Sequence, residues 1–430
     1  MRRDSIAAFA GSVTVADLEA DPYPIYARLR RDAPVCYIPV VRLWFVTRYD
    51  DVEFVGTHPE LFSAELDDSP VDRTFGSPTI LTVDGAPHLE LRRSLDSKYR
   101  PKHVNGYIDG LVRPIAEQVL DGLAGRDHAE LMADYLEPVS VLSLGTVLGV
   151  AHLGAARLRD WFWRLHLGVI NFEGNPERTE VGTVCSREID EVLGPVFDRL
   201  EADPDDSTIS HLLHSGMPAG ACRARDFVMP TLKVILLGGM QEPGHAGGSA
   251  LAGLLASPGQ LAAVRDDPAG LVPAVVEEGL RWVSPIGTQT RQAVADTELG
   301  GVTIPGGAPV GSLVSSANRD EAKFTDPDRF DIFRYRPARP GAAPAPRTAA
   351  PAPQTVSPAL RTAAPAPRTA NLAFGAGRHF CAGHAFSRAQ VRIAIEALIQ
   401  RFPRLALDPA RPPEFRGWEF RAPRRLDVLL

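Results

Sequence analysis

Apolar residues along most of this chain recur at spacings of three and four with polar residues between them, the signature of helices that bury one face. From Tyr107 to Leu213 the pattern passes through Ile115, Val119, Leu120 and Leu123, and later through Val192, Val196 and Leu200. The longest apolar stretch, Phe227 to Leu255, contains Leu236-Leu-Gly-Gly-Met-Gln-Glu-Pro-Gly-His245. Its glycines and proline predict a buried helix that bends or opens there. Further helical patterns cover Ala274–Trp282 and, after Cys381, the series Ala385, Phe386, Ala389, Ile393 and Ala397. Asp21–Arg30 reads as a helix entered through prolines. Period-two alternation is confined to short stretches such as Val35–Thr47 and Leu299–Pro305. The expected fold is therefore mainly α with a small β region.

Between the last two helical patterns lies Asn371-Leu-Ala-Phe-Gly-Ala-Gly-Arg-His-Phe-Cys381-Ala-Gly-His-Ala-Phe386, a glycine-rich loop that delivers one cysteine to the start of a helix. Gly375 and Gly377, lacking Cβ, let the backbone turn tightly and approach a flat partner closely, and Gly383 is expected to do the same beyond the cysteine. Helix-end amides and the dipole favour a thiolate at such a position. Four readings fit: a buried structural cysteine; a zinc site from His379, Cys381 and His384, which lacks a second pair of ligands nearby; a catalytic thiol with a histidine base; and a haem held by one thiolate.

Composition narrows the setting. The 430 residues can bury a sizeable core, and 46 Lys plus Arg against 53 Asp plus Glu give a net charge of −7, so no global basic field points to nucleic acid. Four cysteines, Cys36, Cys185, Cys222 and Cys381, lack paired spacing, which suits a reducing compartment. No run approaches the ~20 apolar residues that span a bilayer. A cytoplasmic protein without membrane contact is the expectation.

Phe374-Gly-Ala-Gly-Arg-His-Phe-Cys381-Ala-Gly383 resembles, position for position, the haem-binding loop of the cytochrome P-450 family, and the whole chain resembles the family's soluble bacterial branch. The resemblance implies a single-domain, mainly helical fold with haem b, and Cys381 as the axial ligand of the iron. It places His379 at a haem propionate and Phe374 where an aromatic shields the thiolate. His88 and Arg92, four residues apart on one helical face, match the family's propionate ligands as cationic donors, and Arg291 matches a third. Arg93 is expected to face solvent or a redox partner. Trp161, Phe162 and Trp163, with Leu165 to Phe172, fall where the family has a lid over the substrate. The Glu278-x-x-Arg281 pair, with Arg329 as third member, matches a structural motif behind the haem.

Two segments depart from that pattern. Where the family has an acid followed by threonine in its central helix, this chain has Gln241 and Glu242, with Pro243 next. Glu242 is a candidate proton donor if burial raises its pKa, or an anchor for water or a polar substrate group. A Pro/Ala-rich insertion, 337–370, carries Arg347-Thr-Ala-Ala-Pro-Ala-Pro353 and its repeat Arg361-Thr-Ala-Ala-Pro-Ala-Pro367. It is expected to be exposed, disordered and without catalytic part.

The implied activity is a monooxygenase acting on a small, mostly apolar molecule. With no flavin domain, iron–sulfur cysteine run or nucleotide fingerprint, its electrons are expected from a ferredoxin or flavodoxin with a reductase. The altered central helix keeps two alternatives open: haem-thiolate chemistry that is peroxide-driven, couples rings or needs no oxygen, and a haem-binding sensor with no turnover.

Overall fold

The computed structural model describes residues 2–335 and 370–430, so all of the Pro/Ala-rich stretch except Ala370 lies outside the described residues. Helices dominate, as the spacing predicts. The 107–213 region resolves into helices Pro101–Asp121, Glu137–Leu148, Ala155–Val169, Pro176–Ala202 and Thr208–His214. The cysteine helix, His384–Arg401, lies against Pro101–Asp121, Glu242–Leu255 and Pro268–Trp282. Leu251, Leu254, Val275, Val276, Ile395 and Leu398 from these helices share one buried apolar cluster.

The β region is small. Val35–Ile38 and Leu43–Val46 form an antiparallel hairpin with Val35 opposite Val46, and the second strand continues parallel to Pro309–Ser312. Gln289–Ala293 and Phe62–Ser63 complete this five-stranded sheet. Arg291 therefore sits in a strand whose neighbours are Pro309–Ser312 on one side and Phe62–Ser63 on the other, which fixes where its side chain emerges. Thr297–Leu299 and Val302–Ile304 form a separate hairpin. The strand His128–Glu130, which gave no clear alternation, pairs with Asp427–Leu429 at the chain's end. Among the described residues no helix is long and apolar enough to cross a membrane.

The central helix breaks where the glycines and proline stand. It ends at Gly238 and restarts at Glu242, with Pro243 in the first turn of the second piece. Proline is tolerated at that position because the N–H it lacks would have no partner in the helix anyway. Gly239 sits under Leu144 and the Ile235 carbonyl, so close that a Cβ would meet Leu144 Cδ2 at 2.7 Å. Behind the cysteine loop, Arg281 and Glu278 are fully buried and paired at 2.8 Å. The third member is Arg334, whose Nε donates to Glu278 Oε1 at 3.0 Å, and not Arg329, whose side chain is exposed. Arg329 contributes its carbonyl to Arg281 instead. Arg329, in Asp326-Pro-Asp-Arg-Phe330, was the residue visible in the sequence; Arg334 lies five residues beyond Arg329 and reaches Glu278 only in the fold.

Candidate active site

A cavity of about 340 Å³ lies between the cysteine loop, the broken central helix and the strand that carries Arg291. Its lining brings together Cys381, His88, Arg92, Arg291, His379, Phe374, Gly383 and Glu242, which are far apart in sequence. The loop's shape comes from two glycines. Gly375 and Gly377 adopt φ of +73° and +71°, where other residues are strained. A Cβ on Gly377 would come within 2.2 Å of the Gly56 carbonyl, and one on Gly375 within 2.0 Å of Gln289 Nε2. Gly383 differs from expectation, with an ordinary φ of −80°. Its missing side chain matters for space: a Cβ there would have only Cys381 Sγ within 4 Å, at 3.9 Å, so the glycine leaves the region beside the sulfur open.

Cys381 donates its amide to the Phe374 carbonyl at 3.0 Å and lies just before the first turn of the cysteine helix. Burial pushes the thiol pKa up, against the opposing pull of the Gly383 and His384 amides and of Arg92 and Arg388. Phe374 lines the cavity with the Arg388 guanidinium 4.3 Å from its ring.

The polar groups gather near one another. Arg92 donates to the Phe380 carbonyl at 2.8 Å, one residue before the cysteine, and pairs with Asp96 at 3.2 Å. His379 is held by Asp84, Nε2 to Oδ1 at 2.9 Å, and its ring lies 4.1 Å from that of His88. His88 is buried and its Nε2 has no hydrogen-bond partner. Burial, reinforced by His379 and Arg92, pulls its pKa down to about 4. Arg291 is buried too; burial lowers its pKa to about 10, which still leaves it charged at neutral pH. Two guanidiniums and an orphaned imidazole nitrogen in one apolar cavity are a donor set for carboxylates. Zinc fares worse: among the described residues no three His, Cys, Asp or Glu side chains converge for a metal ion. His384 Nδ1 instead meets Arg388 at 3.2 Å.

On the central helix Glu242 is buried, lines the cavity, and has no hydrogen bond to either oxygen. Burial raises its pKa. His245, one turn on, stands between two carboxylates: its Nδ1 is 3.6 Å from Glu242 and its Nε2 is 3.6 Å from Glu137. Burial alone would lower the His245 pKa, but Glu242 and Glu137 outweigh it and raise it to about 9. Arg159 closes the series by donating from Nε to Glu137 at 2.9 Å. Gln241 does not line the cavity; its amide donates to the Arg159 carbonyl at 3.3 Å across the helix break. Glu137 and His245 carried no sequence signal for this role, because Glu137 belongs to a different helix and meets the central one only in the fold. The aromatic trio is mostly core: Trp161 and Phe162 are buried, and Phe162 and Trp163 pack on His245. The cavity wall comes from Val169, Ile170 and Phe172 just beyond them. Arg93 is exposed.

The fold and site define a helical enzyme that presents one cysteine, a set of carboxylate-binding donors and a broken helix to a single cavity. Comparison with known proteins gives that class its family. A model of the family described as Cytochrome P450 matches residues 270–422. The chain is 27% identical over 398 residues to putative cytochrome P450 YjiB of Bacillus subtilis, covering 91% of this chain and 90% of that protein. It is 28% identical to 6-deoxyerythronolide B hydroxylase of Saccharopolyspora erythraea, covering 92% and 93% of the two chains. The crystal structure of myxobacterial cytochrome P450 CYP267B1 in complex with myristic acid superposes with a TM-score of 0.79 at 26% identity, covering 96% of each chain. The chain belongs to the cytochrome P450 family and is an oxidoreductase of the monooxygenase type.

Proposed function

We propose that this chain oxidises a small, mostly apolar molecule with dioxygen, on haem b ligated by Cys381, using electrons from a ferredoxin or flavodoxin with its reductase. The observation that carries the reading is the convergence of Cys381, the carboxylate-binding donors and Glu242 on one cavity with largely apolar walls. A cysteine-ligated haem supplies the activation of dioxygen, the thiolate pushing electron density that favours O–O cleavage.

The chain's own residues divide the remaining work. Cys381 would hold the iron, and Arg92, Arg291 and His88 would bind the haem carboxylates, with His379 fixed beside them by Asp84. Phe374 packs beside the sulfur, Gly375 turns the loop, and Gly383 leaves room next to Cys381. Val169, Ile170 and Phe172 exclude water from the substrate side. Insertion of one oxygen atom releases the other as water, which requires two electrons and two protons. Glu242 and His245 share one proton at the cavity wall, 3.6 Å apart, and the carboxyl takes it up and passes it inward. His245 and Glu137 position this carboxyl from behind. Gln241 is a positioning residue, tying the helix break to Arg159.

Turnover of a panel of apolar compounds by the haem-loaded protein tests this. Product is expected with NAD(P)H, ferredoxin and reductase, and Glu242→Gln is expected to slow it by about 10²-fold and to lower product per NAD(P)H consumed. Equal turnover with peroxide alone would favour the alternative chemistry that the Gln241-Glu242 replacement raises. An unchanged rate and coupling in Glu242→Gln would remove the proton role.

A further inference from the structure

One polar group on the cavity wall has no part in the scheme above. Glu419 lines the same cavity, on the side formed by Pro285, Ile286, Thr288 and Phe420. Its backbone is fixed. The Glu419 carbonyl accepts from the Gly287 amide at 2.7 Å, the Arg421 amide donates to Pro285 at 2.9 Å, and Ile286 and Phe420 form a β-bridge between them. The two segments pack so closely that a Cβ on Gly287 would lie 2.1 Å from the Trp418 carbonyl oxygen.

The side chain held in this way is a carboxyl without a counterion. Glu419 is only 6% exposed, and no ion pair to it forms among the described residues. Its Oε1 is buried outside hydrogen-bond geometry with any partner, the Thr288 hydroxyl lying near enough only to moderate its pKa. Its other charged neighbour is an acid, Glu19; burial, with Glu19, raises the Glu419 pKa to about 8. The cavity's two guanidiniums do not relieve it. Arg92 is taken by Phe380 and Asp96, and Arg291 donates to the Thr290 carbonyl.

Leaving a buried acid unpaired is costly. Such a group in a ligand cavity is explained when the ligand supplies what it lacks. We propose that Glu419 is the polar anchor of the substrate cavity and that the substrate is an apolar molecule carrying a cationic nitrogen placed against this carboxyl. An arriving cation favours the ionised carboxylate and replaces the missing partner. An anionic substrate would bring like charge to Glu419 once it is ionised, so the cavity selects by sign as well as by shape. The inference rests on the reading of this cavity as the substrate site.

Calorimetric titration of the haem-loaded protein with three chain-matched probes tests it: decyltrimethylammonium, decanol and decanoate. The quaternary ammonium carries the charge but no lone pair, so it cannot ligate iron. The wild type is expected to bind the cation about tenfold more tightly than decanol, equivalent to about 1.4 kcal/mol, with decanoate weakest. Glu419→Gln is expected to abolish the cation's advantage while decanol binding persists, which also shows that the variant is folded. Equal affinity of wild type for cation and decanol would overturn the proposal without recourse to any variant, and so would an unchanged ratio in Glu419→Gln; either result leaves the monooxygenase reading intact. Failure of the wild type to bind any probe would instead take down the cavity as substrate site, and the anchor with it.

Discussion

His245 shows how much a single side chain's environment decides. Held between Glu242 and Glu137, it is protonated well above the usual histidine range, up to about 9. A group whose folded pKa is raised contributes stability that is fully present below its unfolded value, near 6.5, and is lost as pH rises through about 9. The difference in urea-unfolding free energy between wild type and His245→Asn is therefore expected to be greatest near pH 6 and to shrink by on the order of 2–3 kcal/mol by pH 10. A gap that stays constant or widens with pH would mean that the imidazole is neutral in the folded protein. At this scale the sequence was legible where one motif carries the chemistry: Cys381, Phe374 and His379 are consecutive enough to be read as a pattern. It was opaque where function depends on contacts between distant segments. Glu137 and His245 meet across two helices, and Glu419 faces Thr288 from the other end of the chain. The protonation of His88 was equally hidden, because it follows from burial and from charges brought in by the fold.

At the scale of elements, the cysteine loop separates glycines that shape backbone from glycines that leave space. Gly377 has φ of +71° and no room beside the Gly56 carbonyl, so Gly377→Ala is expected to strain the loop by on the order of 1–3 kcal/mol, seen as a lower thermal midpoint. Gly383 has an ordinary φ, and its Cβ position is open except for Cys381 Sγ. Gly383→Ala is expected to keep the helix content by circular dichroism yet retain haem less well on gel filtration. Equal thermal losses in the two variants, with haem kept in both, would contradict the division. The broken helix was legible for a related reason: two glycines and a proline in an apolar run specify an interruption whatever surrounds it. What the pattern did not give was the geometry of the break, in which Pro243 opens the second piece and Gln241 turns away from the cavity toward Arg159.

For the whole molecule, periodicity marked the helices and the family resemblance gave the class of fold, because long amphipathic helices leave a strong signal while strands of two to five residues leave almost none. His128–Glu130 joins a sheet only by pairing with the chain's last strand, and no local pattern announces that. By spacing alone the Glu278–Arg281 pair read as a surface ion pair, its buried place coming from the family resemblance, whereas Arg334 joined it through tertiary closure. Removing one partner of a buried pair such as this costs about 3–5 kcal/mol, so the site's rear support is a matter of stability rather than of chemistry. All these elements converge on one claim, that Cys381 holds a haem iron as thiolate at the floor of the cavity. The carbon monoxide difference spectrum of the reduced protein tests it most directly. The wild type is expected to show a strongly red-shifted Soret band that disappears in Cys381→Ser while the helix content by circular dichroism is retained; a band at the position of histidine-ligated haem in the wild type, or a red-shifted band surviving in Cys381→Ser, would contradict it.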